Sequence, residues 1–146
     1  MTKNFMSYLI LLKDYLTLPA LLQPYTMLML RVVVGLVFFF HGLPKLNHLK
    51  KTAEGFDAMG FKPGHVWGTF VALLEVVGGF ALFFGFFSQV FSFFFAILML
   101  VAIIKVKGKM GFVGGYEFDL LLLMACLVLI TRGSGILSLD QILLGL

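Results

Sequence analysis

The chain has 146 residues, 61% of them hydrophobic and only 12% charged, with a formal charge of +4. Soluble domains average about 45–50% apolar and about 25% charged residues, so this chain has too little polar surface to cover a water-soluble globule of its size. Its mean hydropathy of +1.07 is resolved by a bilayer, whereas its lysines are scattered through short loops and form no nucleic-acid surface. Basic loops instead fit contact with anionic lipid. The single cysteine, Cys126, cannot form an internal thiol pair.

The first 24 residues, "MTKNFMSYLILLKDYLTLPALLQP", resemble a signal peptide superficially. Lys13 and Asp14 break their apolar stretch and no small-x-small site follows. The segment reads as an interfacial amphipathic helix, with Phe5, Met6, Leu9, Leu12 and Leu16 on its apolar side. Residues 25–146 then read as one transmembrane domain. A spanning helix needs about 20 mostly apolar residues, and four such stretches occur at about 25–43, 66–86, 90–104 and 116–130. Pro24 suits a helix start and Pro44 a stop. The polar segment 45–65 forms a loop with a short surface helix over 47–59.

The turn "GFFSQ" is too short for anything but antiparallel neighbours, so the expected fold is all-α, an up-down-up-down four-helix bundle. Apolar runs of this length exclude barrel strands. The loops after spans one and three hold Lys45, Lys50, Lys51, Lys62, Lys105, Lys107 and Lys109, against Lys3, Lys13 and Arg132 on the other side. The positive-inside rule therefore puts both long loops in the cytoplasm and both termini outside it.

Within span one, Arg31, Gly35, Phe38, Gly42 and Lys45 share a helical face, and His41 lies beside it. Span two carries Gly68, Glu75, Gly78 and Gly85 on a similar stripe, with Gly79 alongside. Gly35, Gly42, Gly78 and Gly79 are read as helix-packing glycines. A carboxylate at mid-span costs about 2.5–3.5 kcal/mol on insertion scales, so Glu75 needs a partner or a proton. At ~1.5 Å per residue, Arg31 lies roughly 9 Å and Glu75 roughly 16 Å below the outer ends of their spans. An Arg31–Glu75 pair is the expected match.

The opposite half collects His41, Lys45, Glu117 and Asp119, with Tyr116 adjacent. Glu117 falls in the first turn of span four, where a carboxylate suits the helix dipole. Lys105, Lys107 and Lys109 read as ordinary positive-inside residues. Arg31, His41, Lys45, Glu75 and Glu117 are the ligand-binding or proton-relay candidates, since ionisable residues inside a membrane mark functional sites by default. The bland alternative is that the charges only fix helix packing. The histidines show no recurring ligand spacing, so no metal is expected.

The segments "LRVVVGLVFFFHGLPKL", "LLEVVGGFALFFG", "GGYEFDLLLL" and "GSGILSLDQIL", in that order, resemble the DoxX family of small bacterial membrane proteins. The resemblance implies a four-helix inner-membrane protein and matches Arg31, Gly35, His41, Gly42, Lys45, Glu75, Gly78, Gly79, Gly85, Gly114, Gly115 and Glu117. It adds Asp140, expected near the outer interface beside Arg132. Some relatives belong to thiosulfate:quinone oxidoreductases and others to membrane redox-stress complexes. Two functions follow: a redox subunit binding a quinone or similar amphipathic molecule, and a non-catalytic scaffold recruiting a soluble partner at the cytoplasmic loops. A transporter fits less well, because four spans offer little lumen and none is broken mid-membrane.

Overall fold

The computed structural model describes the backbone of residues 2–145, with side chains from Leu22 onward apart from Leu144. The side chains that would make the N-terminal segment amphipathic, up to residue 21, lie outside the described residues. Helix α1 runs Thr2–Asn47, α2 Leu49–Ala58, α3 Gly64–Phe84 and α4 Ser88–Val101. Helix α4 continues in wide π-type turns over Ala102–Lys107; after an irregular stretch, α5 spans Glu117–Arg132 and α6 Leu139–Leu144. Four helical segments are long and apolar enough to cross a membrane: Leu22–Asn47, Gly64–Phe84, Ser88–Lys107 and Phe112–Arg132. The protein is an all-helical, multi-pass membrane protein.

Span boundaries shift by a few residues from the sequence reading, and Pro24 does not start a helix: α1 runs unbroken from Thr2 through Pro24, so the N-terminal segment is continuous with span one rather than a separate helix. Three further differences have a local reason. Helix α1 passes through Pro44 instead of stopping before it, and the His48 amide still donates to the Pro44 carbonyl at 3.1 Å. Proline removes its own amide bond but leaves its carbonyl free. The added turn keeps Lys45 on the same face as Gly42. Helix α3 ends two residues early because Gly85 turns left-handed at φ 73°. Span three runs on to Lys107, because its last turns widen rather than break.

Glycine sets how close the helices come. A Cβ on Gly79 would sit 2.5 Å from the Phe39 amide nitrogen and 2.7 Å from the Gly35 carbonyl, and one on Gly35 would sit 2.7 Å from the Gly79 carbonyl. The α1 and α3 backbones are therefore in direct contact. Lower on the same seam, a Cβ on Gly42 would meet the Glu75 Cβ at 2.7 Å. Gly78 faces the other way, onto the Phe91 and Phe95 rings of α4.

Helix α4 packs mainly on α5, so the bundle is two tight pairs, α1–α3 and α4–α5, closed around a common core. Phe38 of α1 and Phe95 of α4 stack at its centre, 3.7 Å apart and 6° from parallel. Leu82, Met99, Leu122, Cys126 and Leu129 fill the space around them. Outward-facing residues such as Met29, Phe40, Val77, Phe80 and Leu121 are exposed, as lipid-facing side chains are. Helix α2 folds back on the start of α3, with the Gly64 amide donating to Asp57 Oδ1 at 2.8 Å.

Gly79→Ala is expected to destabilise by about 1–3 kcal/mol, the usual cost of forcing atoms into a filled interface. Gly55→Ala in α2, whose added Cβ meets nothing within 4 Å, serves as the control and should stabilise by about 0.5–1 kcal/mol through helix propensity. Reversible unfolding of both variants in mixed detergent micelles checks this, and a Gly79→Ala protein as stable as the parent would contradict backbone contact at the seam.

Candidate functional site

The antiparallel register of α1 and α3 places Gly42 against Glu75. With no side chain on Gly42, the Glu75 stem lies against α1, and Lys45, one turn further along, reaches it. Helical side chains lean toward the helix N-terminus, which swings the Lys45 ammonium back to the level of Gly42. Its Nζ donates to both carboxylate oxygens at 2.5 Å. The Glu75 side chain is 3% exposed, so this pair neutralises a charge that burial would otherwise make costly.

A second pair joins α4 to α5: Lys107 Nζ donates to Asp119 Oδ2 at 2.6 Å. Both pairs line one cavity of about 630 Å³, and His41 completes its polar wall. His41 Nδ1 lies 2.8 Å from the Val37 carbonyl. Because a carbonyl only accepts, Nδ1 carries the proton and Nε2 is left for the cavity. The His41 ring faces Phe118 with centroids 6.1 Å apart. The rest of the lining is apolar and aromatic, with Trp67, Phe70, Phe94 and Phe118 from the spans and Phe56 from α2.

The two lysine–carboxylate pairs sum to zero formal charge. Each ammonium has three N–H donors, and its carboxylate takes one or two of them. The wall therefore offers spare donors, a histidine nitrogen and carboxylates within an otherwise apolar enclosure. That combination suits a ligand with an apolar body and a small oxygen-bearing head. Among the described residues no three His, Cys, Asp or Glu side chains converge as metal ligands.

His41, Lys45, Glu75 and Asp119 thus meet at one cavity, but Arg31 does not. Arg31 precedes Lys45 by fourteen residues, roughly 21 Å along the helix. It lies against Gly85, and its Nη2 donates to the Leu137 carbonyl at 3.0 Å. The expected Arg31–Glu75 pair is replaced by Lys45–Glu75, because depth counted from span ends misjudged the register. On α3 the level of Arg31 is Gly85, ten residues away from Glu75. Glu117 also stays apart: its Oε1 accepts from the Gly114 amide at 2.9 Å, closing the start of its own helix. The neighbouring Tyr116 ring packs edge-on to Phe112.

Asp140 does not meet Arg132. It accepts from the amides of Phe87 at 2.7 Å and Ser88 at 2.9 Å, capping α4 from 52 residues further along the chain. Sequence reasoning also missed Lys107, which it took for an ordinary loop lysine. Its separation of twelve residues from Asp119, across a glycine-rich turn between antiparallel helices, was the available signal. The aromatic contribution of α2 had no signal at all, since it depends on α2 folding back over the mouth.

The DoxX family model matches residues 26–108. Over 113 residues the chain is 38% identical to "Putative oxidoreductase CatD" of Bacillus subtilis (strain 168), covering 77% of this chain and 83% of that protein. No solved structure matches.

Breaking one partner of the buried pair leaves its charge uncompensated. Lys45→Met is expected to lower stability by about 2–4 kcal/mol, less than a fully buried pair because the lysine is a third exposed. Lys45→Met/Glu75→Leu should recover most of it. Unfolding in detergent checks the order, and a double variant no better than the single would refute the pairing.

Proposed function

Since this chain belongs to the DoxX family, we propose that it is the membrane subunit of a redox system and that its cavity binds a quinone or a similar small amphipathic molecule. The observation that carries this reading is the cavity itself: about 630 Å³, within the roughly 300–1,000 Å³ of small-molecule sites, with an aromatic body and two ion pairs on its wall. The name of the Bacillus subtilis relative supports redox chemistry in the same family.

When bound, a quinone supplies two-electron, two-proton chemistry. The chain's own residues have matching tasks. Lys45 and Lys107 donate N–H groups to oxygens of the head, while Glu75 and Asp119 hold the two ammoniums in place. His41 Nε2 exchanges a proton at the cavity wall. Trp67, Phe70, Phe94 and Phe118 exclude water and flank a ring. Enclosure in apolar surroundings strengthens each of these polar contacts.

Orientation follows from the basic residues. Even without the two paired lysines, Lys50, Lys51, Lys62, Lys105 and Lys109 outnumber Lys3, Lys13 and Arg132. The cavity end is placed at the cytoplasmic side of the bacterial inner membrane, with the termini outside, and a soluble electron-transfer partner would dock there.

Trp67 is the sole tryptophan and lines the cavity, so it reports occupancy directly. A short-chain quinone is expected to quench its fluorescence saturably in detergent. Glu75→Gln and Lys45→Met should each raise the half-saturating concentration about tenfold, the loss of one charge-assisted hydrogen bond. Quenching that rises linearly and identically in all three proteins would sink the assignment and leave the scaffold reading.

A further inference from the structure

The outer half of the bundle holds a second polar group that the cavity does not use. Arg31 is 1% exposed, and Ser88 and Ser92 are fully buried. Among the described residues, Arg31 Nε and Nη1 and the hydroxyl oxygens of Ser88 and Ser92 have no hydrogen-bond partner. Register places them at one level of the bundle. Phe38 stacks on Phe95 across the core, and α1 and α4 cross the membrane in the same direction. Arg31 lies seven residues before Phe38, and Ser88 seven before Phe95. Both are two turns from the stack toward the same membrane face, and Ser92 lies between the stack and Ser88.

The charges there do not cancel by contact. An arginine does not shed its proton inside a protein, so Arg31 is a buried cation. The carboxylate whose charge acts on it is Asp140, yet both Asp140 oxygens are taken by the Phe87 and Ser88 amides. The ion pairs among the described residues are Lys45–Glu75 and Lys107–Asp119. Among the described residues the Arg31 side chain makes one hydrogen bond, to the Leu137 carbonyl. Gly85 makes room for the guanidinium itself, because any side chain there would collide with Arg31 Nη1.

The orphaned groups are a guanidinium with free N–H donors and two hydroxyls that can donate. A partner for them must accept hydrogen bonds, and a negative one also gives Arg31 the contact charge that Asp140, held at the Phe87 and Ser88 amides, supplies only from a distance. We infer that Arg31, Ser88 and Ser92 form a binding site for a small inorganic monoanion, of the halide or nitrate class, in the outer half of the bundle. The segment from Ser134 to Asp140 closes over it: Ser134 Oγ donates to Ser138 Oγ at 3.0 Å, and the Asp140 amide donates to the Gly85 carbonyl at 2.8 Å. The anion supplies the contact charge that Arg31 lacks, and it ties α1, the α3–α4 turn and the C-terminal segment together. The Phe38–Phe95 stack separates this site from the cavity, so the inference stands independently of the quinone reading.

The test is a melting series on the full chain in detergent, freed of halide and titrated with sodium chloride, bromide or nitrate against gluconate at fixed ionic strength. Saturable stabilisation by the small anions and none by gluconate is expected. Ser88→Ala/Ser92→Ala, which keeps the arginine, should raise the half-saturating concentration about tenfold, and Arg31→Met should abolish the response. Equal responses to chloride and gluconate, or no response in the parent protein, would overturn the site. An unchanged midpoint in the double serine variant would equally overturn it, whether or not Arg31→Met folds.

Discussion

The backbone contact between α1 and α3 is the constraint from which the rest follows. Gly35 and Gly79 let the two helices touch through their main chains, and side-chain-free contact of this kind is how membrane helices gain packing without a hydrophobic drive between them. Such a contact has little freedom to slide, because every neighbouring residue along the seam would then collide. It therefore fixes register over the whole length of the pair. Gly42 falls against Glu75 and Arg31 against Gly85, and the membrane positions of two buried charges are set together.

That register divides the interior into two polar regions with different electrostatics. In the half proposed as cytoplasmic, each carboxylate on the cavity wall has its own lysine, and the wall is neutral. In the other half, Asp140 is spent on the amino end of α4, and Arg31 has no direct counter-charge among the described residues. Between them the stacked rings of Phe38 and Phe95 form an apolar floor. Asp140 spends its hydrogen bonds on the backbone amides at the start of α4, so its negative charge acts on Arg31 through space rather than by direct contact.

The pairing of α1 with α3 and α4 with α5 also explains where the space lies. Helices α3 and α4 are joined at the end away from the cavity by the turn at Gly85 and touch where Gly78 meets Phe91 and Phe95. Toward the other side, Leu74, Phe94, Ile97 and Val101 face the cavity rather than each other. The wide turns at Ala102–Lys107 extend α4 far enough for Lys107 to reach Asp119, and α2 covers the end. Space, lining and charge all come from the same two helix pairs.

The sequence by itself determined the solvent, the all-helical class and the four spans, because each rests on composition or on local hydropathy that no packing arrangement can reverse. It also marked the faces: spacing put Arg31, Gly35, Phe38, Gly42 and Lys45 on one stripe, and all five point into the bundle. Only the tertiary structure decided which charges meet. Glu75 had two basic candidates on that stripe, and a ten-residue difference in level on α3, invisible to counting from uncertain span ends, chose Lys45 over Arg31. The pairing of Lys107 with Asp119 and the reach of Asp140 back to Phe87 and Ser88 likewise depend on contacts between segments far apart in the chain. A periodicity reports the direction a side chain faces; a partner is settled by register between helices, and that is a property of their packing.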